Sequence, residues 1–372
     1  MGDIKSDLRD LGTLQREVEP ATDGALPRYV DERIVRELYE DGEKFVAFGA
    51  YYRREKGCKV MKAAVDAGFV CPNKDGRISS EGCLFCPKMG RTIITPNVDP
   101  GKKLEEQARE QMEVFRERYG AEKFLVYFYP ATNTYAPPDV LEELYNRALE
   151  MEDVIGLSIG TRPDCLPDDV LDILEGYVKE GYDVWLEIGV QSYHHRTLRR
   201  TRRGHGLTEV IDAIIRAKER GIRIVNHIIF GLPGETRDEM LETVRVLSVL
   251  GVEAVKLYPL VVLERTDLER MYYDRRYKPL SYREYIRLLA DALERMAPTV
   301  LIQRLSKDRA PDEERIEPEW DLYRMRVISD VRKELARRES RQGKLYKVGL
   351  NAEELVPLVK GATGAGGFGV ST

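Results

Sequence analysis

Residues 59–86 read KVMKAAVDAGFVCPNKDGRISSEGCLFC. The mostly apolar opening, 59–65, predicts a strand, and the cysteines after it, Cys71, Cys83 and Cys86, follow a C-x11-C-x2-C spacing. Pro72, Gly76 and Gly82 let the chain between them fold back so that three sulfurs can meet. Three thiolates are one fewer than the irons of a cubane cluster, which leaves one iron open to a small molecule. Phe85, beside the third thiol, offers an aromatic face to a ring such as adenine.

Further along, strand-like runs at 124–129, 154–159, 183–190, 223–229 and 254–258 alternate with helical patterns at 103–119, 138–149, 167–179, 208–220 and 237–250. Gly181 and Gly221 stand just past two of these helices, and Thr208 and Thr236 stand where two of them start. Short strands separated by such helices predict right-handed βαβ units and a parallel sheet. Six units are too few to close an eightfold barrel. They predict an α/β fold of partial TIM-barrel form, (β/α)6, with N- and C-terminal extensions. In such folds the functional residues gather at the C-terminal ends of the strands, where the cysteine loop lies. The expected division is an N-terminal extension at 1–41, the barrel at 42–300, a helical and β extension at 301–347 and a tail at 348–372. A strand at 299–305 and amphipathic helices at 282–296 and 319–338 belong to this C-terminal part. The glycine-rich tail holds too little apolar mass to offset its chain entropy, and residues 1–23 also read as loosely ordered.

With 372 residues and 42% apolar content, the chain can bury a large core. No apolar run approaches the roughly 18 residues of a membrane span and no signal-type segment is seen, which predicts a cytoplasmic protein without a membrane partner. Five cysteines crowded toward the N-terminal side are not a secreted disulfide framework, and a net charge of −5 carries no overall nucleic-acid signature. Adding Cys58 gives four cysteines within 29 residues, and four thiolates also hold structural zinc. Cys58, however, precedes the first strand while the others follow it. Such a strand spans about 20 Å, far beyond a shared metal at about 2.3 Å from each sulfur. The spacing favours a cluster, with a zinc-stabilised, non-catalytic binding module as the alternative.

Further strings carry a resemblance: Gly160-Thr161-Arg162-Pro163-Asp164, Gly189-Val190-Gln191-Ser192, Arg203-Gly204-His205 and Gly231-Leu232-Pro233-Gly234-Glu235. With the cysteine loop, they resemble the radical S-adenosylmethionine (SAM) superfamily, in the branch of the Elongator catalytic subunit and the YhcC/YtqA-like proteins. Asp66 to Asn73, Thr132-Asn133-Thr134-Tyr135-Ala136-Pro137 and Arg341-Gln342-Gly343 are most similar to YhcC/YtqA; Lys256-Leu257-Tyr258-Pro259 resembles the Elongator type. The resemblance implies that Cys71, Cys83 and Cys86 each ligate one iron of a [4Fe–4S] cluster and that SAM chelates the fourth. It implies reductive SAM cleavage to a 5′-deoxyadenosyl radical, with the electron supplied by a ferredoxin- or flavodoxin-type donor. Gln191 would bond a ribose hydroxyl and Arg203 the SAM carboxylate. Related enzymes carry acidic residues where this chain has Gly160 and His227, which leaves Thr132, Asn133 and His227 as candidates for the SAM amino end. The implied substrate is a side chain on a tRNA wobble uridine, with a small metabolite or peptide as the alternative.

Other features have plainer readings beside functional ones. Residues 196–203 hold five arginines, a solvated charge run or a phosphate-binding rim, extended by Arg53, Arg54, Arg275, Arg276, Arg332 and Arg337. Tyr51, Tyr52, Tyr272 and Tyr273 are candidate stacking faces or packing residues. Gly231 to Gly234 read as a strand-to-helix turn, and Asp164, Asp168 and Asp169 as helix N-terminal charges. Glu187 faces either the barrel lumen or a helix.

Overall fold

The computed structural model describes residues 29–88, 98–306, 314–318, 320 and 324–347; the stretches expected to be loosely ordered, 1–23 and 348–372, lie outside them. Helices α1 (Glu32–Glu40) and α2 (Phe48–Lys56) precede the alternating part. That part runs β1 (Val60–Val65), α3 (Leu104–Tyr119), β2 (Lys123–Phe128), α4 (Pro138–Leu149), β3 (Val154–Thr161), α5 (Asp168–Lys179), β4 (Asp183–Gln191), α6 (His195–Arg200), α7 (Leu207–Glu219), β5 (Arg223–Phe230), α8 (Arg237–Val249) and β6 (Ala254–Pro259). It is followed by β7 (Val262–Leu263), α9 (Asp267–Tyr273), α10 (Tyr282–Arg295), β8 (Leu301–Arg304), β9 (Arg315–Glu317) and α11 (Arg324–Arg337).

All the expected strands and helices of the alternation form. The main sheet has the order β1-β2-β3-β4-β5-β6-β8, every pair parallel, and curls into a half-barrel. The strand read at 299–305 is β8, and it joins this sheet beside β6 as a seventh strand. Alternation alone counts six because β8 is only four residues long.

Successive residues of a strand face opposite ways, so each strand has one face toward the helices and one toward the lumen. Val126, Phe128, Leu157, Ile159, Leu186, Ile188, Ile224, Val255 and Leu257 build the large core beneath the outer helices. The alternate positions Leu125, Trp185, Val225, Ala254 and Leu301 form a separate cluster with Val35 and Leu38 of α1 and Tyr51 and Tyr52 of α2. Tyr52 Oη donates to Asp183 Oδ2 at 2.7 Å, and Arg223 Nη2 donates to Glu55 Oε1 at 2.6 Å. Asp183 and Arg223 open their strands, so α2 closes the N-terminal end of the barrel as a floor. Trp185 is the centre of that floor. It meets the Phe48 ring edge-on at 5.1 Å and the Arg223 guanidinium at 5.2 Å, and its Nε1 donates to Tyr52 Oη at 3.3 Å.

A third, small apolar cluster lies at the opposite end. Leu84, Leu232, Leu260, Val262, Leu268 and Tyr277 gather there, with Phe85 partly buried against them. It pins the cysteine loop to the strand ends. Leu84 N donates to Thr201 O and Leu268 N to Leu84 O, each at 3.0 Å.

Replacing Trp185 by Ala removes the floor's largest side chain. We expect a loss of about 3–5 kcal/mol, read as a lower urea midpoint with an unchanged slope; a shift within error of the parent would refute the floor's role.

Candidate functional site

The cysteine loop is built of tight turns. Lys74 N and Asp75 N donate to Cys71 O at 2.8 and 3.1 Å, Ile78 N to Pro72 O at 2.8 Å and Cys86 N to Cys83 O at 3.0 Å. These turns bring the Cys83 and Cys86 thiols into a shared hydrogen bond, which is the largest influence lowering Cys83 well below the usual thiol range and raising Cys86 well above it. Burial opposes ionisation of Cys83, and the guanidinium groups of Arg203 and Arg162 favour it. Arg203 Nη1 donates to Cys83 Sγ at 3.1 Å and Asn73 Nδ2 to the same sulfur at 3.3 Å. Arg162 is buried and held by Asp164 at 2.9 and 2.8 Å, and it also feels the charge of Cys71 and Cys83. Asp164 is therefore an arginine partner and not a free helix-terminal charge.

The donor set suits an anionic iron–sulfur group. Beside the thiols, the donors Arg203 Nε and Arg162 Nη1 are buried without a partner; His205 Nε2 is also unpartnered, but because Nδ1 donates to Gly206 O at 3.3 Å it is an acceptor. Leaving a buried polar group unpaired costs about 1–3 kcal/mol, so the two donors together mark a place where a bound group completes the bonding. Burial, then Arg203 and Arg162, lowers His205 to about 3, so its imidazole is neutral. Among the described residues no three His, Cys, Asp or Glu side chains, those of Cys71, Cys83 and Cys86 included, converge on one metal-ion position.

The other expected SAM contacts divide. Gln191 ends β4 at a register shift with φ of +72°, a conformation uncommon for any residue but glycine. Its Nε2 and Arg203 Nη2 lie 3.0 and 3.3 Å from where a Cβ on Gly189 would stand, so a larger residue at 189 would push both side chains aside by a few tenths of an ångström. Thr132 and Asn133 are buried. Asn133 Nδ2 donates to the Pro130 and Gly160 carbonyls at 2.8 and 2.9 Å, while its Oδ1 is buried and unpartnered, an acceptor open to an ammonium. Arg203 is partly engaged by the protein. Its Nη1 is on Cys83 and its Nη2 donates to Gly189 O at 2.6 Å, while Nε is buried without a partner. His227 is engaged elsewhere, with Nε2 on Glu187 Oε2 at 2.7 Å.

The arginine run is largely consumed by the fold. Arg196 pairs with Glu239 at 2.6 Å, Arg202 with Glu81 at 2.8 Å and with Asp267, and Arg200 donates to Pro233 O at 3.2 Å. Arg54 pairs with Glu37 and Asp41, and Arg332 with Glu43. Tyr51 and Tyr52 are buried in the floor. None of these forms an open phosphate rim or a stacking face.

One group was not read from the sequence. Above the apolar floor, Lys62, Tyr127, Ser158, Glu187, His227, Lys256 and Arg304, one from each strand of the sheet, make a polar layer. Glu187 is its hub: it accepts from Lys62 Nζ at 2.6 Å, Ser158 Oγ at 2.8 Å, His227 Nε2 at 2.7 Å and Lys256 Nζ. Burial pushes the Glu187 carboxyl up, but Lys256, Lys62 and His227 hold it well below the usual range. Burial lowers His227 to about 4 and Lys256 to about 7, with Lys62 and Arg304 adding to the effect on Lys256. The available signal was a lone charge at the lumen register of an apolar strand, as in Val-Met-Lys62-Ala and Trp-Leu-Glu187-Ile.

On anaerobic reconstitution with iron and sulfide, Cys83→Ala should lose most bound iron while Cys58→Ala keeps the parent stoichiometry; equal iron in both would remove Cys83 from the ligand set. A second expectation concerns Glu235, to which Ser192 Oγ donates at 2.5 Å and which burial raises to about 7 from its ordinary 4.5. The folded state then binds more protons than the unfolded between those values, so this carboxyl makes stability fall as pH rises from about 4.5 to 7. Glu235→Gln should flatten that slope in urea titrations across the same window.

Residues 74–247 match the family model of the radical SAM superfamily, and residues 252–337 that of the Radical_SAM C-terminal domain. The chain is 46% identical over 315 residues to the protein MJ0486 of Methanocaldococcus jannaschii, covering 85% of this chain and 96% of that one. It is 36% identical over 310 residues to YtqA of Bacillus subtilis, covering 83% and 95%. Among solved structures, the archaeal Methanocaldococcus infernus Elp3 with its N-terminus deleted shares the fold at a TM-score of 0.55 and 19% identity, over 76% of this chain and 64% of that chain, under two thirds of its length. Three thiols at the mouth of a parallel half-barrel and matches along nearly the whole of two relatives lead to one conclusion: the chain belongs to the radical SAM superfamily, among the YtqA-like proteins, with a [4Fe–4S] cluster and S-adenosylmethionine as its cofactors.

Proposed function

We propose that this radical SAM enzyme takes a hydrogen atom from a group on the wobble uridine of tRNA, with a ferredoxin- or flavodoxin-type protein as electron donor. When bound, the cluster and SAM supply reductive cleavage of a sulfonium and hydrogen-atom abstraction. The protein's part is to hold and to exclude. Cys71, Cys83 and Cys86 grip the cluster, while Arg162 and Arg203 offset its negative charge in a water-poor pocket. Asn133 Oδ1 would receive the ammonium end of SAM, Arg203 its carboxylate and Gln191 its ribose.

The observation that carries RNA as substrate is on α9, whose first turn bonds the cysteine loop through Leu268 N and Leu84 O. At its far end Tyr273 is 65% exposed, with its ring edge-on to Tyr272 at 5.5 Å. Around it stand Arg270, Arg275 and Arg276, all outward; Arg276 is tied to Asp274 at 2.7 Å. An open aromatic face flanked by guanidinium groups is what an unstacked base with its phosphates requires. The resemblance to the Elongator catalytic subunit supports the same reading.

The test is a tRNA mobility shift at several salt concentrations beside a product assay with dithionite and SAM. The parent should bind tRNA with a steep salt dependence and form 5′-deoxyadenosine faster in its presence. Tyr273→Ala should weaken binding by about tenfold, the worth of one stacked base. Absence of binding at low salt, with 5′-deoxyadenosine still formed, would move the substrate to a small metabolite or peptide.

A further inference from the structure

Asn73 stands two residues past Cys71 in the cysteine loop and is only 1% exposed. The turn it sits in closes through backbone groups, Lys74 N and Asp75 N on Cys71 O, so its side chain is free to reach across the loop. The amide nitrogen carries two hydrogens, and both are spent. One donates to Cys83 Sγ at 3.3 Å and the other to Arg202 O at 2.7 Å. A carbonyl oxygen only accepts, so it is the nitrogen of the amide, not its oxygen, that faces this side. Cys83 Sγ therefore receives two side-chain N–H donors, Asn73 Nδ2 and, at 3.1 Å, Arg203 Nη1. Among the described residues, no such side-chain N–H reaches the sulfur of Cys71 or Cys86. The three thiols are unequal. The second bond of Asn73 serves the same end: Arg202 has φ of +54°, uncommon outside glycine, and fixing its carbonyl fixes the backbone that delivers Arg203. The surroundings are tight, since a Cβ on Gly204 would stand 3.3 Å from Asn73 Oδ1 and 2.7 Å from Ile78 Cγ2.

We infer that Asn73 is a positioning residue that raises the reduction potential of the cluster through the sulfur of Cys83. Reduction adds one electron, and the negative charge extends onto the ligand sulfurs. In a buried pocket that charge is costly, and an N–H aimed at the sulfur favours the more negative, reduced state. Arg203 supplies a full positive charge to this sulfur, and Asn73 adds a neutral dipole fixed by its bond to Arg202. Partners of this kind around a ligand tune a metal centre without touching the metal. The inference rests on Cys83 being an iron ligand and is independent of the substrate.

The full chain and its Asn73→Leu variant, each reconstituted with iron and sulfide, are titrated against viologen dyes, and the reduced cluster is counted by its electron paramagnetic resonance signal. Leucine keeps the volume of asparagine and removes both bonds. At the parent's iron stoichiometry, the variant's ratio of reduced to oxidised cluster at a fixed dye potential should fall about tenfold, a potential lower by about 59 mV for one electron. The sign separates this effect from a loosened loop, because water admitted to the pocket would solvate the more negative state and raise the potential. An unchanged or raised potential at full iron content would overturn the inference and leave the ligand assignment standing. A second reading needs no variant. In parent protein labelled with nitrogen-15 at its asparagine side-chain amides, the reduced cluster should show a nitrogen hyperfine coupling. Asn133, the other buried asparagine at the strand ends, spends its amide hydrogens on the Pro130 and Gly160 carbonyls. Absence of that coupling would equally overturn the inference, as would parent iron stoichiometry in Cys83→Ala, which removes the ligand itself. Failure of tRNA to bind leaves both readings standing.

Discussion

A strand in a half-barrel shows its side chains alternately to the helices outside and to the lumen, and only the outer face has to be continuously apolar. The large core under the helices takes Val126, Phe128, Leu186, Ile188 and Val255, and it is this packing that holds the sheet in its curl. The lumen positions are thereby released from the demand for oil, and the chain uses them in tiers. Trp185 and its neighbours close the floor, Glu187 and the lysines occupy the middle, and glycine stands at 160 and 189 near the strand ends.

Charge is managed differently in the middle tier and at the mouth. At the mouth, Arg162 and Arg203 stand against thiols, and the donors Arg203 Nε and Arg162 Nη1 have no protein partner. That pocket is built for a negative guest. In the middle tier one carboxylate gathers two lysines and a histidine, and burial has driven His227 to neutrality and Lys256 to the edge of it. Two lysines so close in a low dielectric repel each other, and Glu187 is what makes the arrangement tenable.

The short segments after the sixth strand connect mouth and rim. Helix α9 begins on the cysteine loop, and Asp267 at its start takes Arg202 and Lys88 as partners. Arg202 of the arginine run thus braces the segment after α6 to α9, and the far end of α9 carries the exposed Tyr273. A charge run read as sequence says nothing about which acids will stand opposite it, because those acids, Glu81 of the cysteine loop, Glu239 of α8 and Asp267 of α9, come from distant parts of the chain.

The sequence by itself determined the parallel α/β alternation, because hydrophobic period and helix punctuation are local. It also placed the three cysteines on one loop after the first strand, since Cys83 and Cys86 lie within one turn of each other and Cys71 begins the same loop. Cys58 could be set aside because a strand's length separates it from the rest. Tertiary structure alone decided that β8 completes the sheet, that Asp164 belongs to Arg162, and that His227 serves Glu187. It also decided that lone charges on β1, β4 and β6 meet in one tier. The reason is physical: which lumen side chains touch depends on strand tilt and on the register shifts at Ile188/Gln191 and Val255/Lys256, and these are set by the packing of the whole sheet, not by any one strand.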